Sequence, residues 1–132
     1  MQFEFLIPKR PLSVNAERRN LRKWKAYVHG EAQKAWDGPP IAGIDLHLSL
    51  VYLCDEHDPV DTDNIVKPIQ DALIGLVYDD DQLVSDVESH RRPLTGTFDI
   101  TRFPPLLLSG LTSGQECVFV SICTAKALED YL

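Results

Sequence analysis

The stretch DPVDTDNIVKPIQDALIGLVYDDDQL, residues 58–83, carries seven aspartates and a single lysine in 26 positions, and its reading decides the kind of fold. Its middle is helical by spacing. Ile65, Ile69, Ala72, Leu73 and Leu76 recur at intervals that place them on one face, which predicts a helix over Asn64–Leu76. With Asn64 as N-cap, Pro68 falls at the fourth helical position, where a missing N–H has little to bond. Just ahead, IDLHLSLVYL alternates Ile44, Leu46, Leu48, Leu50 and Tyr52 against polar neighbours, the pattern of a half-buried strand. CDEHDPVDTD between the two reads as a polar loop, and Gln82–Ser89 reads as a further strand.

Outward from this unit, MQFEFLI alternates Phe3, Phe5 and Ile7 against Gln2 and Glu4, a strand closed by Pro8 and Pro11. From Glu17 to Trp36 the positions Leu21, Trp24, Val28, Ala32 and Ala35 form a helical stripe, with Gly30 its weak point. ECVFVSICTA, residues 116–125, is rich in Val, Ile and Phe and reads as a buried strand. Between the last two strands, RRPLTGTFDITRFPPLLLSGLTSG, residues 91–114, reads as an excursion with a short strand and a turn, and KALEDYL at the end adds a helical turn. No repeat, low-complexity tract or linker divides the chain. The expectation is one α+β domain over residues 1–132, a mixed or antiparallel sheet with two main helices packed on it.

Composition agrees with a soluble globular domain: 132 residues, 44% hydrophobic and 25% charged. No segment approaches the ~18 apolar residues of a membrane span, and the N-terminus lacks a signal-peptide pattern, so the expected location is cytoplasmic, without a membrane partner. Cys54, Cys117 and Cys123 have no C-x-x-C spacing and fit reduced core thiols. The net charge of −7 is uneven: +5 over residues 1–36, −12 over residues 37–90 and zero over residues 91–132. A basic arm beside an acidic block suits phosphates at one end and metal ions at the other.

The chemistry lies where the polar loop meets the helix. Asp61 and Asp63 alternate along the loop, and Lys67 and Asp71 continue from Asp63 at i+4 and i+8 on the polar side of the helix. Asp79, Asp80 and Asp81 follow a turn that can return them to the mouth of that helix. Carboxylates converging with so little compensating charge repel one another, and a divalent cation removes the difficulty; oxygen-only donors select a hard ion such as Mg²⁺. Taken singly, loop aspartates are ordinary turn formers and caps, and Lys67 with Asp71 is an ordinary exposed pair. An EF-hand starting at Asp61 fails, because Val66 stands where the turn glycine belongs and Ala72 where the bidentate glutamate belongs. His29, His47, His57 and His90 lack paired zinc spacing, and His47 reads as structural.

DTDNIVKPIQDALIG followed by VYDDDQL closely resembles the D-x-D-N-x-x-K-x-x-x-D-A-L-x-G and D-D-x-Q motifs of RusA-like Holliday junction resolvases, and IPKRPLSVN is similar to the strand, proline-rich bend and Asn at their start. The resemblance implies a Mg²⁺-dependent endonuclease, with Mn²⁺ as the alternative ion, that works as a homodimer on branched DNA and nicks four-way junctions. It implies Asp61 and Asp63 as the first two catalytic carboxylates, Lys67 as the active-site lysine and Asp80 as the acid of the D-D-x-Q element. Asp79 stands beside the same metal, and Asp71 supports it. Asp81 replaces the usual small or neutral residue before Gln82, which leaves open which of the three consecutive acids reaches the ion. Segment 91–114 is longer than the hairpin of the smallest members. Arg18, Arg22 and Lys25 on one side of the first helix, together with Asn15, are the expected DNA contacts. A non-catalytic binding member of the fold, and a nuclease for other branched or single-stranded DNA, are the alternatives.

Overall fold

The alternation ahead of the acidic loop produces the central strand. In the computed structural model, which describes every residue from Met1 to Leu132, strand β2 runs Leu46–Cys54, and Leu46, Leu48, Leu50 and Tyr52 are wholly buried on one face. Ile44, expected on that face, precedes the strand and is 40% exposed. Strand β1 is Gln2–Ile7, β3 is Val84–Pro93 and β4 is Cys117–Thr124, and the sheet order is β1-β4-β2-β3. β4 is antiparallel to both neighbours, whereas β3 is parallel to β2, so the sheet is mixed and the fold is α+β. A parallel pair needs a crossover, and the helix in the acidic segment supplies it.

Register builds the core in rows. Phe3, Ile122 and Leu48 lie side by side across three strands, as do Phe5, Val120 and Leu50, then Ile7, Val118 and Tyr52, and all nine are buried. A slip of one residue would turn every row to the opposite face. Helix α1, Arg18–Ala35, covers this face with Trp24, Val28 and Ala32, and helix α2, Val66–Leu73, covers it with Pro68, Ile69, Ala72 and Leu73. Ile65 is buried beside them, as read from spacing, and each such apolar side chain contributes about 1.5–3 kcal/mol by leaving water.

α2 is shorter than its spacing predicts. It begins two residues late because Thr62–Ile65 form a turn in which Asn64 N–H bonds Asp61 O, and Asn64 is not its N-cap. Pro68 becomes the third helical residue, still within the turn whose N–H groups lack intrahelical partners. At the other end Gly75, at φ 82°, takes a left-handed conformation and donates to Tyr78 O, reversing the chain.

The long excursion also departs from expectation. Its first residues extend β3 to Pro93, and in place of a short strand it forms a third helix, α3, Pro105–Ser113, with Pro at its first turn and Gly114 in a left-handed C-cap. α3 lies on the other face of the sheet, where Leu107 packs with Leu53, Cys117 and Phe119. A Cβ at Gly110 would sit 2.9 Å from Cys117 Sγ and 3.2 Å from Leu6, so a larger residue there would have to push both side chains aside. The rest of that face is polar. His47 stands 3.6 Å from Asp86 and 3.4 Å from Glu88, and Tyr131, from a C-terminal 3-10 turn over Leu128–Tyr131, stacks on its ring. The cysteines are free thiols, and burial pushes Cys117 up to about 11. No helix is long and apolar enough to cross a membrane.

Candidate active site

β2 hands the chain to a loop, residues 55–65, at the carboxyl end of the parallel pair, the usual place for a site in sheets with crossover helices. The loop has little regular structure, so its path is set by donors from elsewhere. Arg91 Nη1 on β3 bonds Val60 O at 3.2 Å and lies 3.8 Å from Asp61 Oδ1. Ser89 Oγ bonds Thr62 O at 2.7 Å, and Val14 N bonds Asn64 O at 2.9 Å. Asp61 and Asp63 project from this loop into solvent, and the Asp63 carboxylate has no hydrogen-bond or ion-pair partner.

Lys67, in the first turn of α2, gathers the next acids. Its Nζ lies 2.5 Å from Asp81 Oδ2 and 3.0 Å from Asp71 Oδ1, and Lys25 of α1 reaches Asp71 Oδ2 at 3.4 Å. Hydrogen bonds donated to Asp81 and then to Asp71 hold the Lys67 ammonium above the ordinary lysine value, and the Lys67 hydrogen bond holds the Asp81 carboxyl below the ordinary aspartate value. Lys67 is half exposed, so the group is a charge-placement device and a weak contributor to stability.

The segment after Gly75 is held near α2 by a bridge of Tyr78 to Ile41 and by Asp79 N donating to Ile41 O at 3.0 Å. Tyr78 is fully buried and its hydroxyl donates to Gln70 O at 2.7 Å, which locks this segment onto the helix. Asp80 caps a 3-10 turn over Asp81–Leu83 by accepting from Gln82 N at 3.0 Å. Of the three acids expected to return to α2, Asp81 is the one that touches it, through Lys67.

Asp61, Asp63, Asp79 and Asp80 are not drawn into one group. No three Asp, Glu, His or Cys side chains lie close enough together to hold an ion. Like charges spread toward solvent, and the carboxylates that converge, Asp71 and Asp81, do so on an ammonium. In donor chemistry the set fits a hard cation, since every candidate ligand is a carboxylate oxygen and those of Asp63 and Asp79 take no protein partner.

Of the expected DNA contacts, Arg18 and Arg22 are exposed on α1 without acidic partners, whereas Lys25 is engaged by Asp71. Asn15 is exposed in a turn that the Val14–Asn64 bond ties to the acidic loop. Beside it, Lys9, Arg10, Leu12, Asn20, Lys23 and Trp24 line a basic groove of about 240 Å³. The positive balance of the N-terminal segment signals such a groove but not which cations line it. Arg91 and Ser89, the residues that hold the acidic loop, carry no local signal, because their role depends on β3 lying beside β2.

The family model for endodeoxyribonuclease RusA matches residues 10–96, a span that includes α1, β2, the acidic loop, α2 and β3 and stops before α3 and β4. No curated protein matches the chain.

Proposed function

The chain belongs to the RusA endodeoxyribonuclease family, and on that premise we propose that it is a Mg²⁺-dependent, structure-selective endonuclease that nicks branched DNA, with the four-way junction as its substrate. The observation that carries this reading is the Lys67–Asp81 contact, which brings the second acidic segment back, across 14 residues of sequence, to the first turn of α2, the helix that the acidic loop leads into. A catalytic constellation assembled from both segments requires that return.

In this reading Asp61, Asp63 and Asp80, with Asp79 beside them, are the metal ligands, and Mn²⁺ can stand in for Mg²⁺. A hard divalent ion, when bound, supplies the charge neutralisation and the acidified water that phosphodiester hydrolysis needs in so negative a site. Lys67 keeps its proton, because Asp81 and Asp71 both favour the charged form, and offers a fixed positive charge to the scissile phosphate as negative charge builds on it. Arg18 and Arg22 neutralise flanking phosphates, and Asn15 and Lys25 border the path between them and the acids. Paired nicks on a junction of near two-fold symmetry call for two sites, so the proposed assembly is a homodimer.

The test is cleavage of labelled four-way junction, flap, duplex and single-stranded DNA, with Mg²⁺ or with chelator, by the parent and by Asp63→Asn. The expected result is junction nicking that chelator abolishes and that falls about 10³-fold or more in the variant with junction binding retained. Equal inertness of the parent on all four substrates would overturn the enzymatic reading, and an active variant would remove Asp63 from the site.

A further inference from the structure

Glu116, in the connection between α3 and β4, lies outside the span matched by the family model, yet its carboxylate is the hub of a network that ends on the acidic loop. Its Oε2 accepts the hydroxyl of the fully buried Tyr52 at 2.6 Å. Its Oε1 accepts Asp55 N–H at 3.2 Å and Arg10 Nη1 at 3.2 Å. The other guanidinium nitrogen, Arg10 Nη2, donates to Asp58 O at 2.6 Å. The side chain of Glu116 is 15% exposed, so a carboxylate is held largely out of water where charge-assisted hydrogen bonds are strong.

The target of this network is distinctive. Asp58, at φ 53°, is the one non-glycine residue of the chain with a left-handed backbone, a sparsely populated conformation that aspartate tolerates and that the Arg10 bond to its carbonyl helps to hold. From Asp58 the chain needs three residues to reach Asp61 and five to reach Asp63. Arg91 and Ser89 fix the far side of that loop; Glu116, through Arg10 and Asp55, fixes its near side.

We infer that Glu116 is a positioning residue for the reaction: it sets the approach of residues 55–63 and so the placement of the Asp61 and Asp63 carboxylates, without touching DNA or metal. This rests on the proposed catalytic role of those two aspartates. Glu116→Gln tests it, because the amide keeps the size but loses the charge that orients Arg10 and cannot serve all three donors alike. Amide exchange over residues 55–63 is expected to accelerate about tenfold with β1 and β4 unchanged, and single-turnover junction cleavage to fall about tenfold or more with the junction Kd within about twofold of the parent. Tyr52→Phe, which removes the buried hydroxyl but leaves the Arg10 and Asp55 arms, is expected to lower the Tm without changing exchange in the loop. Unchanged loop exchange in Glu116→Gln, or exchange raised equally throughout the sheet, overturns the inference. Faster loop exchange at an undiminished rate keeps the anchoring but overturns the positioning role, whereas an active Asp63→Asn would overturn the assignment of the aspartates on which it rests.

Discussion

The two acidic segments are held in different ways. Residues 55–65 are fixed by donors that lie 27 to 50 residues away in sequence: Ser89, Arg91, Arg10 and Val14. Residues 79–83 combine one distant bond, Asp79 N to Ile41 O, with nearer ones, the Asp80 cap on Gln82 and Lys67, which reaches Asp81 from 14 residues back. The first segment inherits its geometry from the packed sheet, and the second carries more of its geometry in its own turn chemistry. The first should therefore register changes far from it, and the second should respond more to changes in its own residues and in Lys67.

Removing Lys67, which draws the second segment to α2, should have a larger effect than loosening the anchors of either segment. Lys67→Ala leaves Asp71 and Asp81 without their shared ammonium and removes the proposed positive charge at the phosphate, and single-turnover cleavage should drop about 10²-fold with little change in the salt dependence of binding. A variant with parental turnover would show that the Lys67–Asp81 contact has no part in the chemistry.

Arg91→Gln probes the first segment alone. It removes the contact with Asp61 and the charge-assisted bond to Val60 O, so cleavage should fall about tenfold while the second segment keeps its structure. Backbone chemical shifts can check this: perturbation confined to residues 58–64 supports the contrast, and equal perturbation at residues 79–83 breaks it.

A smaller effect is expected on the exposed side of α1. Replacing Arg18 and Arg22 with Ala should weaken every DNA substrate alike and flatten the slope of log K against log salt by about 0.9 per lost contact, with the rate at saturation unchanged. Lys25 belongs to a different class, since it already serves Asp71, and its removal should alter the acidic cluster as well as the affinity. If the double variant keeps the parental slope, the DNA path runs over the groove of Lys9, Arg10 and Lys23 instead.

The smallest effect is that of pH on the Lys67–Asp81 contact. Because the Asp81 carboxyl is depressed in the folded chain, its contribution is complete above the ordinary aspartate value of about 3.9 and is lost only as pH falls through the depressed one. Lys67 is raised, so its contribution is complete below about 10.4 and is lost at still higher pH. Carboxyl NMR of Asp81 should therefore show a titration midpoint below the ordinary aspartate value. A midpoint at or above the ordinary value would mean that the two side chains do not meet in solution.

Much of this molecule is local enough to be legible in sequence. The alternation of Leu46, Leu48, Leu50 and Tyr52 and the spacing of Ile65, Ile69, Ala72 and Leu73 specify which faces are buried, because a period of two or of 3.6 leaves only one way to hide the apolar side chains. The acidic motif and the family it belongs to were legible too, because both rest on contiguous runs of residues. Helix α3 was not, since Pro104 and Pro105 read as loop residues until one is seen to precede the helix and the other to open it, and Gly110 reads as a breaker until Cys117 is seen against it. Nor was the early turn that delays α2, which depends on Asn64 bonding backward to Asp61. The sequence alone determined what the pieces are and which chemistry they carry. Only the tertiary structure decided that Asp81 takes Lys67, that Arg91 and Ser89 hold one side of the acidic loop, and that Glu116 holds the other: hydrogen bonds between residues tens of positions apart follow from strand order and register, and strand order leaves no trace in local periodicity.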